Sequence, residues 1–464
     1  MSLFGAMNTA ISGIGAQAAA FGNISDNVAN SQTVGFKRVD TAFEDYLTTS
    51  TAAINSPGAV VAIPQYVNNE QGAISQTSDP LNIAIAGQGF FAVSQQTGEV
   101  NSQPTFNPQQ FYTRTGDFQM NKDGYLVNSA GQFLNGWPVD QVTGIANQNA
   151  LAPVQVSQST YNPVASSQVT LSANLPASPA TNTATLAAPI SSDIDVYDAL
   201  GTVHTISMNW VQNAQNDWTV SIVAPDALDT TVVPQTVPPT LNPNLGAADV
   251  QFGATSGNNV PAGTVGQIAP TQQLDSSGNP IANAGTVITA GYAADTPATL
   301  SFSVDFGSGP QTISLNLGTY GQTGGVTQYA GSAYQLQGLT QNGVAPGSFS
   351  GVVAQANGDI VVNYDNGQTR TIAQVPVVTF NAPDSLQAQN GQAFTATLNS
   401  GTPLAEPAST NGAGNLVVSS VEGSNVDIAS EFSQLIVAQS AYSANTKVIT
   451  TAAQMLQQTI NMQT

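Results

Sequence analysis

A repeating pattern of apolar residues marks both ends of the chain and limits what it can fold into. Near the start, steps of three and four residues alternate through Phe4, Met7, Ile11, Ile14, Ala18, Phe21, Ser25 and Val28. Near the end, the same alternation runs through Ile428, Phe432, Leu435, Gln439, Tyr442, Thr446, Ile449, Ala453, Leu456 and Ile460. Such a heptad pattern predicts two coiled-coil helices, one at each end. Two helices that cover a sheet within one globule would give a similar pattern.

The first helix is predicted to end within the stretch ANSQTVGFKRV, residues 29–39. Asn30, Ser31 and Thr33 compete for backbone hydrogen bonds, and Gly35 can adopt a positive φ. Each of these features favours the end of a helix.

Basic residues are scarce, yet two of the six lie side by side at Lys37 and Arg38. They follow the negative end of the predicted helix dipole, where positive charge is favoured. Because the dipole alone does not explain why they lie here, we expect a contact with a carboxylate on a neighbouring chain.

The two helices differ in intrinsic stability. The first contains Gly5, Gly13, Gly15 and Gly22. Each glycine costs about 1 kcal/mol relative to alanine, so we expect this helix to become ordered only in a crowded assembly. The second contains no Gly or Pro over 424–464, and a variant of the capping box from Ser424 to Asp427 predicts its start.

The middle of the chain, from about Val60 to Gly423, predicts β structure. Alternating apolar runs are separated by turn signals, namely NKDGY (121–125), DALGT (198–202), SSGNP (276–280), ANGDI (356–360) and DNGQT (365–369). Asn-Gly and Asp-Gly pairs between β-branched runs indicate hairpins. The predicted fold class is α+β, mainly β, with paired terminal coiled-coil helices at one end and nested antiparallel β domains between them.

The predicted domains are nested, so each is left on the outward pass of the chain and completed on the return. They are a terminal helical coiled-coil domain (1–30 with 424–464), an extended connecting region (31–75 with 409–423), a first β domain (76–152 with 339–408) and an outer β domain (153–338). Residues 225–330 leave open whether the outer domain contains a subdomain.

Composition narrows the function classes. The 464 residues include 27 acidic and 6 basic side chains, giving a net charge of −21. With so few lysines and arginines, the sequence argues against binding to nucleic acid or to an anionic membrane. No apolar run is long enough to span a bilayer, and the N-terminus does not resemble a cleaved secretory signal. The absence of cysteine excludes disulfides, thiolate metal sites and cysteine nucleophiles.

Motifs for chemistry are weak throughout. Asp193 and Asp195 are predicted on one face of a strand, and Asp198 opens the following turn. The segment NKDGY lacks the ligand spacing of a calcium loop, and GQGF (87–90) lacks the third glycine of a dinucleotide fingerprint. His204, the single histidine, is predicted as a half-buried strand residue. The sequence therefore predicts no catalytic, cofactor-binding or metal-binding residues.

Several segments resemble the bacterial flagellar hook and rod protein family. ANSQTVGFKR with its preceding helix is similar to the family's N-terminal signature, in which we identify Asn30, Thr33, Gly35, Phe36 and Lys37. The segments at 81–93, 112–137 and 423–460 are similar to later family signatures, and those at 196–210 and 357–386 resemble hook-specific segments.

The resemblance implies a structural function and no enzymatic activity. Members polymerise into a curved tube that acts as a universal joint and passes motor torque to the filament. The implied partners are copies of the chain itself, rod and hook–filament junction proteins, a hook cap protein and the flagellar type III export apparatus. The implied location is the hook, outside the cell, reached without a cleaved signal peptide. A distal rod protein and a secreted β-rich carbohydrate-active enzyme are the alternatives.

The predicted assembly interface consists of the large apolar members of the two heptad seams. They are Phe4, Met7, Ile11, Ile14, Phe21, Val28, Ile428, Phe432, Leu435, Tyr442, Ile449, Leu456 and Ile460. We expect these side chains to be buried chiefly against copies of the same chain.

Overall fold

The protein is described by a computed structural model over residues 3–50, 55–101, 103–141, 143–177, 189–229, 239–274, 279–281, 284–289, 291–331 and 333–462. The chain divides into two compact units. Unit 1 comprises Met1–Gln158, Phe349–Asn363 and Thr369–Thr464, and unit 2 comprises Ser159–Ser348 and Tyr364–Gln368. The predicted division into four nested domains stays a prediction.

The first part of unit 1 begins with a helix and continues as strands. Its elements are α1 (Leu3–Ala29), β1 (Val39–Ser50), β2 (Asn55–Tyr66), β3 (Ile74–Gln76), β4 (Ile83–Ala86), β5 (Phe91–Val100), β6 (Gln103–Phe106), β7 (Phe111–Thr113), β8 (Gln119–Met120), β9 (Leu126–Val127), β10 (Gln132–Pro138) and β11 (Ala152–Pro153).

The strands of unit 2 follow. They are β12 (Gln168–Asn174), β13 (Ile190–Tyr197), β14 (Val203–Ala214), β15 (Asp217–Val223), β16 (Asn244–Phe252), β17 (Val265–Thr271), β18 (Ile288–Thr289), β19 (Pro297–Asp305), β20 (Pro310–Thr319), β21 (Val326–Thr327) and β22 (Gln335–Gln341). A short 3₁₀ turn lies at Gly253–Ser256.

The chain then returns to unit 1 and ends in the second helix. The elements are β23 (Phe349–Ala354), β24 (Asp359–Tyr364), β25 (Thr369–Gln374), β26 (Val377–Thr379), β27 (Gln387–Gln389), β28 (Ala393–Thr395), β29 (Leu404–Glu406), β30 (Asn415–Val418), β31 (Ser420–Glu422) and α2 (Ile428–Met462). A short 3₁₀ turn occupies Pro383–Ser385. The predicted mainly β fold with paired terminal helices is confirmed.

Unit 1 is organised around one large sheet that the returning chain completes. Its strand order is β23-β24-β25-β10-β5-β7-β28-β27, with β6, β8, β9 and β11 attached beside this path. Smaller two-stranded pairings join β3 to β31 and β4 to β30. Strands from both passes of the chain therefore lie in the same sheets.

Unit 2 contains two sheets around one apolar core. The order in the first is β13-β14-β15-β16-β17, and in the second β18-β19-β20-β12-β21, with β22 on β12. Trp210, Val220 and Leu300 lie in a single buried cluster to which both sheets contribute. Most pairings are antiparallel, but β12 runs parallel to β20 and to β21, which the sequence did not predict.

The predicted end of the first helix is confirmed. Helix α1 ends at Ala29, and the Asn30 amide donates to the Asp26 carbonyl at 2.9 Å. Gly35 has φ of +70°, which a residue with a side chain rarely adopts.

The second helix begins differently from the prediction. Ser424 does not act as the cap; instead Asp427 Oδ1 accepts from the N–H groups of Ala429 and Ser430, at 2.9 and 3.5 Å. The helix starts at Ile428 because Asp427, closer to the helical residues, satisfies the free N–H groups of its first turn. The predicted turn at 276–280 lies largely outside the described residues.

Candidate assembly surface and its anchor

The two terminal helices pack side by side within one chain. In α1 the buried side chains are Ala10, Ala16, Ala20, Ile24 and Asn27. In α2 they are Glu431, Ala438 and Ala452. Small side chains on both helices let their backbones approach closely, and the Phe21 and Tyr442 rings meet edge to face at 6.4 Å.

Residues 39–66 form a long hairpin, β1–β2, that lies along α1. The Asn23 amide donates to Thr41 Oγ1 at 2.8 Å, and the Val60 N–H donates to Ser12 Oγ at 3.1 Å. These bonds attach both strands of the hairpin to the helix.

A buried asparagine joins the hairpin and both helices. Asn27 Oδ1 accepts from the Val39 N–H at 2.9 Å, and its amide donates to the Val39 carbonyl at 3.0 Å. The same amide donates to Glu431 Oε1 of α2 at 3.2 Å. Burial raises the pKa of Glu431, and the hydrogen bond from Asn27 opposes that shift.

None of the thirteen predicted interface residues is fully buried in the single chain. Six are exposed, namely Phe4, Ile11, Ile428, Phe432, Tyr442 and Ile460. The other seven are half-buried, namely Met7, Ile14, Phe21, Val28, Leu435, Ile449 and Leu456. The pairing of α1 with α2 therefore leaves the large apolar side chains of both heptad patterns at least partly exposed.

Sequence reasoning missed the small-residue face by which the helices pair. Ala10, Gly13, Ala20, Ile24 and Asn27 recur at intervals of three, four and seven residues, which was the available signal. It also missed further exposed apolar side chains on α2, namely Ile436, Val437, Val448 and Met455, and on the hairpin, namely Tyr46, Val61 and Ile63.

The family-signature segment 30–37 contacts the β part of unit 1. Thr33 and Phe36 are half-buried, and the Phe36 N–H donates to the Thr33 carbonyl at 3.3 Å. The Gly35 N–H donates to the Glu422 carbonyl at 2.8 Å. A Cβ on Gly35 would lie 2.6 Å from the Thr115 backbone nitrogen, so no other residue fits here without displacement.

Lys37 finds its carboxylate within its own chain, so the expectation of a neighbouring chain's carboxylate is wrong. Its Nζ lies 2.6 Å from Glu422 Oε1, and Arg114 Nη1 lies 3.0 Å from Glu422 Oε2. All three side chains are at most 2 % exposed. Burial lowers the pKa of Lys37 below the usual lysine value, and the Glu422 carboxylate opposes that shift.

Arg38 lies beside this cluster but nearer the solvent. Its guanidinium lies 3.2 Å from Glu70 Oε2 and 3.4 Å from Asp40 Oδ1. Its N–H donates to Asn425 Oδ1 at 2.7 Å. Lys37 and Arg38 are therefore both paired with acidic residues of the same chain.

The residues considered for chemistry do not form a catalytic arrangement. Asp193 and Asp195 are exposed on one face of β13, as predicted, and Asp198 accepts from the Thr202 N–H at 2.7 Å in the next turn. His204 is buried, stacks on Phe306 at 3.8 Å and has its Nδ1 against Asp226 Oδ2.

The Asp198 carboxylate accepts hydrogen bonds from Leu200, Thr202 and Ser308, whereas His204 Nε2 lies 3.7 Å away. Burial would raise the pKa of Asp198, but N–H donors of Thr202 and Leu200 and the Ser308 hydroxyl lower the pKa below the ordinary value. No group of three or more His, Asp or Glu within the described ranges could hold a metal ion. No helix of those ranges is long and apolar enough to cross a membrane.

Comparison with known proteins places these features in a family. Three family models match in chain order: the flagellar hook protein FlgE/F/G D1 domain at 84–173, the flagellar basal body protein FlaE D2 domain at 165–344 and the flagellar basal body rod FlgEFG protein C-terminal at 418–462.

Individual relatives match over their full length. The flagellar hook protein FlgE of Brucella abortus is 29 % identical over 465 residues and is covered completely, as is this chain. That of Escherichia coli is 27 % identical, with 98 % of this chain and 100 % of the relative covered. A crystal structure of Helicobacter pylori flagellar hook protein FlgE2 has a TM-score of 0.46 at 14 % identity, covering 74 % of this chain and 98 % of that one.

The fold is that of a mainly β protein in which the first and last segments of the chain form one pair of helices. The chain belongs to the family of flagellar hook and basal-body rod proteins, a family of structural proteins.

Proposed function

We propose that the chain is a structural subunit of the flagellar hook and that it polymerises into a curved helical tube. The observation that carries this proposal is the exposure of apolar side chains along both helices, for example Phe4 at 68 %, Phe432 at 52 % and Val437 at 69 %. Large apolar side chains exposed in such number along the helices indicate an interaction site. Identical subunits joined head to tail form a helical filament when the rotation between them does not close a ring.

The proposed assembly surface contains the thirteen seam residues and the apolar residues beside them on α2. The Tyr46, Val61 and Ile63 side chains extend it, because the register of β1 with β2 places all three on one face of the hairpin. Helix pairing within the subunit uses small side chains together with the Phe21–Tyr442 ring contact, which leaves exposed apolar side chains such as Phe4 and Phe432 available for neighbouring copies.

In this proposal the helices form the inner tube and residues 153–338 make the outer contacts. The sequence of residues 153–338 is rich in Gln, Asn, Ser and Thr, and exposed polar contacts contribute little free energy each. Outer contacts then exchange at low cost while the inner helices resist twisting. Such a tube bends as a universal joint and still passes torque. Cross-linking of straight and bent tubes tests this, since larger changes among inner contacts would contradict it.

Export as an unfolded chain through the flagellar type III apparatus fits the composition. A chain without cysteine forms no disulfides during passage. The proposed partners are copies of the chain, the hook cap protein, and the rod and hook–filament junction proteins at the two ends of the tube. The proposed location is outside the cell, without cleavage of a signal peptide.

The match over the entire length of hook relatives supports the hook over the distal rod. A model named for the basal-body D2 domain spans 165–344, the region that we expect a distal rod protein to lack. The alternative function, a carbohydrate-active enzyme, would need a pair of acidic residues in a cleft. No such pair supports it among the described residues, so we propose no catalytic function.

Electron microscopy of the purified full-length protein under polymerising conditions tests the proposal. We expect curved tubes; short straight cylinders would favour the rod, and persistent monomers would contradict both. The double substitution Phe4→Ser and Phe432→Ser should abolish the tubes but leave the thermal unfolding of the β part unchanged. Leu398→Ser is the matched control, since Leu398 is fully exposed but lies outside the helices.

A further inference from the structure

Two stretches of chain connect the helices to the β part of unit 1, and they meet at one point. Residues 30–38 leave α1, and residues 423–427 lead into α2. The Asn425 side chain accepts from the Arg38 N–H at 2.7 Å and donates to the Val67 carbonyl at 3.0 Å. The Gly35 N–H donates to the Glu422 carbonyl at 2.8 Å. The outgoing and returning connections are therefore fastened to each other.

The centre of this junction is the Glu422 carboxylate, which is fully buried. Its Oε1 accepts from Lys37 Nζ at 2.6 Å and from the Gly72 N–H at 2.8 Å. Its Oε2 accepts from Arg114 Nη1 at 3.0 Å. One side chain thus joins the segment after α1, the loop before β3 and the turn after β7.

Arg114 ties the same carboxylate to the sheet. Its Nη2 donates to the Gly87 carbonyl at 2.8 Å, and its Nη1 donates to the Ile85 carbonyl at 3.2 Å. These carbonyls belong to β4 and to the residue just after it. Lys37 Nζ also donates to the Glu70 carbonyl. The cluster therefore joins the segment after α1 to the loop before β3, to β4 and to β31.

Glu422 is the carboxylate that pairs with both cations of the cluster. Lys37 and Arg114 are two buried cations, and repulsion by Arg114 is one of the influences that lower the pKa of Lys37. A buried charge that loses its partner is strongly destabilising, whereas apolar replacement of a complete ionic cluster often preserves stability. Because apolar side chains would serve stability as well, the three charges point to a role in fixing the geometry of the junction.

We propose that Glu422 is a positioning residue that latches the helix pair at one fixed orientation to the β part of unit 1. The latch closes only when residue 422 reaches Lys37 and Arg114, so this ionic link to the segment after α1 forms only when the returning strand β31 is in place. Its mechanical role rests on the proposed hook function: a fixed junction transmits twist from the helices to the β part, whereas a loose one absorbs it.

Distance measurements on the unpolymerised chain test the latch without requiring assembly. Because the chain has no cysteine, spin labels can be placed at Ser443→Cys on α2 and Leu398→Cys in the β part, both exposed positions. We expect one narrow distance distribution in the otherwise unchanged chain and a broad one in Glu422→Gln. Amide exchange at Gly35 and Gly72 should become roughly a hundredfold faster in that variant.

A triple substitution separates positioning from stability. Lys37→Met, Arg114→Met and Glu422→Met together should restore the unfolding midpoint lost in Glu422→Gln but leave the distance distribution broad. Glu99→Gln, at an exposed strand residue, is the matched control and should change neither measurement. A distribution in Glu422→Gln or in the triple variant as narrow as that of the unchanged chain would overturn the latch. Failure of the unchanged chain to polymerise would instead count against the hook function.

Discussion

Gly13 of α1 lies directly against Asn445 of α2, and a Cβ at position 13 would stand 2.9 Å from the Asn445 amide nitrogen. An added Cβ on Gly15 or Gly22 meets no atom within 4 Å. The glycines of one helix therefore have different roles: Gly13 permits close pairing within the chain, whereas Gly15 and Gly22 face outward.

The substitution Gly13→Leu is expected to weaken the pairing of α1 with α2. Overpacking typically costs about 1–3 kcal/mol, and the better helix propensity of leucine offsets only part of this loss. Chemical unfolding of the monomer, followed by the helical circular dichroism signal, measures the change. Gly15→Leu is the matched control and should stabilise the helix instead. Equal effects of the two substitutions would contradict the assigned contact.

The outward glycines separate the stability of the monomer from assembly. Gly15→Ala combined with Gly22→Ala should stabilise α1 by about 1 kcal/mol per site, since alanine favours a helix and nothing obstructs its Cβ. If copies approach closely at these positions, the same variant should polymerise more slowly and less completely. Hydrogen exchange over residues 4–28 and light scattering during assembly measure the two effects. Unimpaired polymerisation would exclude a role for these glycines between copies.

The terminal helices were predictable because their signals are local. The heptad steps and the cluster of Asn30, Thr33 and Gly35 lie within a few residues of one another, so the sequence indicated both the helix and its end. The pairing face was missed because large residues were taken as the contact surface. In the structure alanine and glycine line that contact beside the Phe21–Tyr442 ring pair, while Phe4 and Phe432 remain exposed.

The junction could not be predicted because its partners lie far apart in the chain. Lys37 and Glu422 are separated by 385 positions, and no local pattern connects either of them to Arg114. The prediction that Lys37 binds a carboxylate was correct in chemistry, but its partner belongs to the same chain. The parallel pairing of β12 with β20 escaped prediction for the same reason, since strand alternation does not reveal which distant strand is the neighbour.

The buried Glu431 should make the helix pair less stable as the pH rises. Because burial raises its pKa in the folded state, the folded chain binds more protons than the unfolded chain between the ordinary and the raised pKa. Stability therefore falls with rising pH across that window. Glu431→Gln should remove this dependence and be at least as stable as the unchanged chain at neutral pH. Unfolding midpoints from pH 4 to 7 measure the effect, with Glu44→Gln on the exposed hairpin as the control.

Gly35→Ala is expected to lower the stability of unit 1 strongly. The left-handed conformation at φ of +70° costs an L-residue about 1–2 kcal/mol, and the Thr115 backbone nitrogen 2.6 Å from the new Cβ adds a clash with a group that cannot rotate away. We expect a loss of at least about 3 kcal/mol in the free energy of unfolding of unit 1. Gly412→Ala is the matched control, because Gly412 has φ of +86° but open space around an added Cβ. Gly412→Ala should lose only the free energy that the left-handed conformation costs. An equal loss at both positions would show that the approach of Thr115 to Gly35 is not what requires a glycine at position 35.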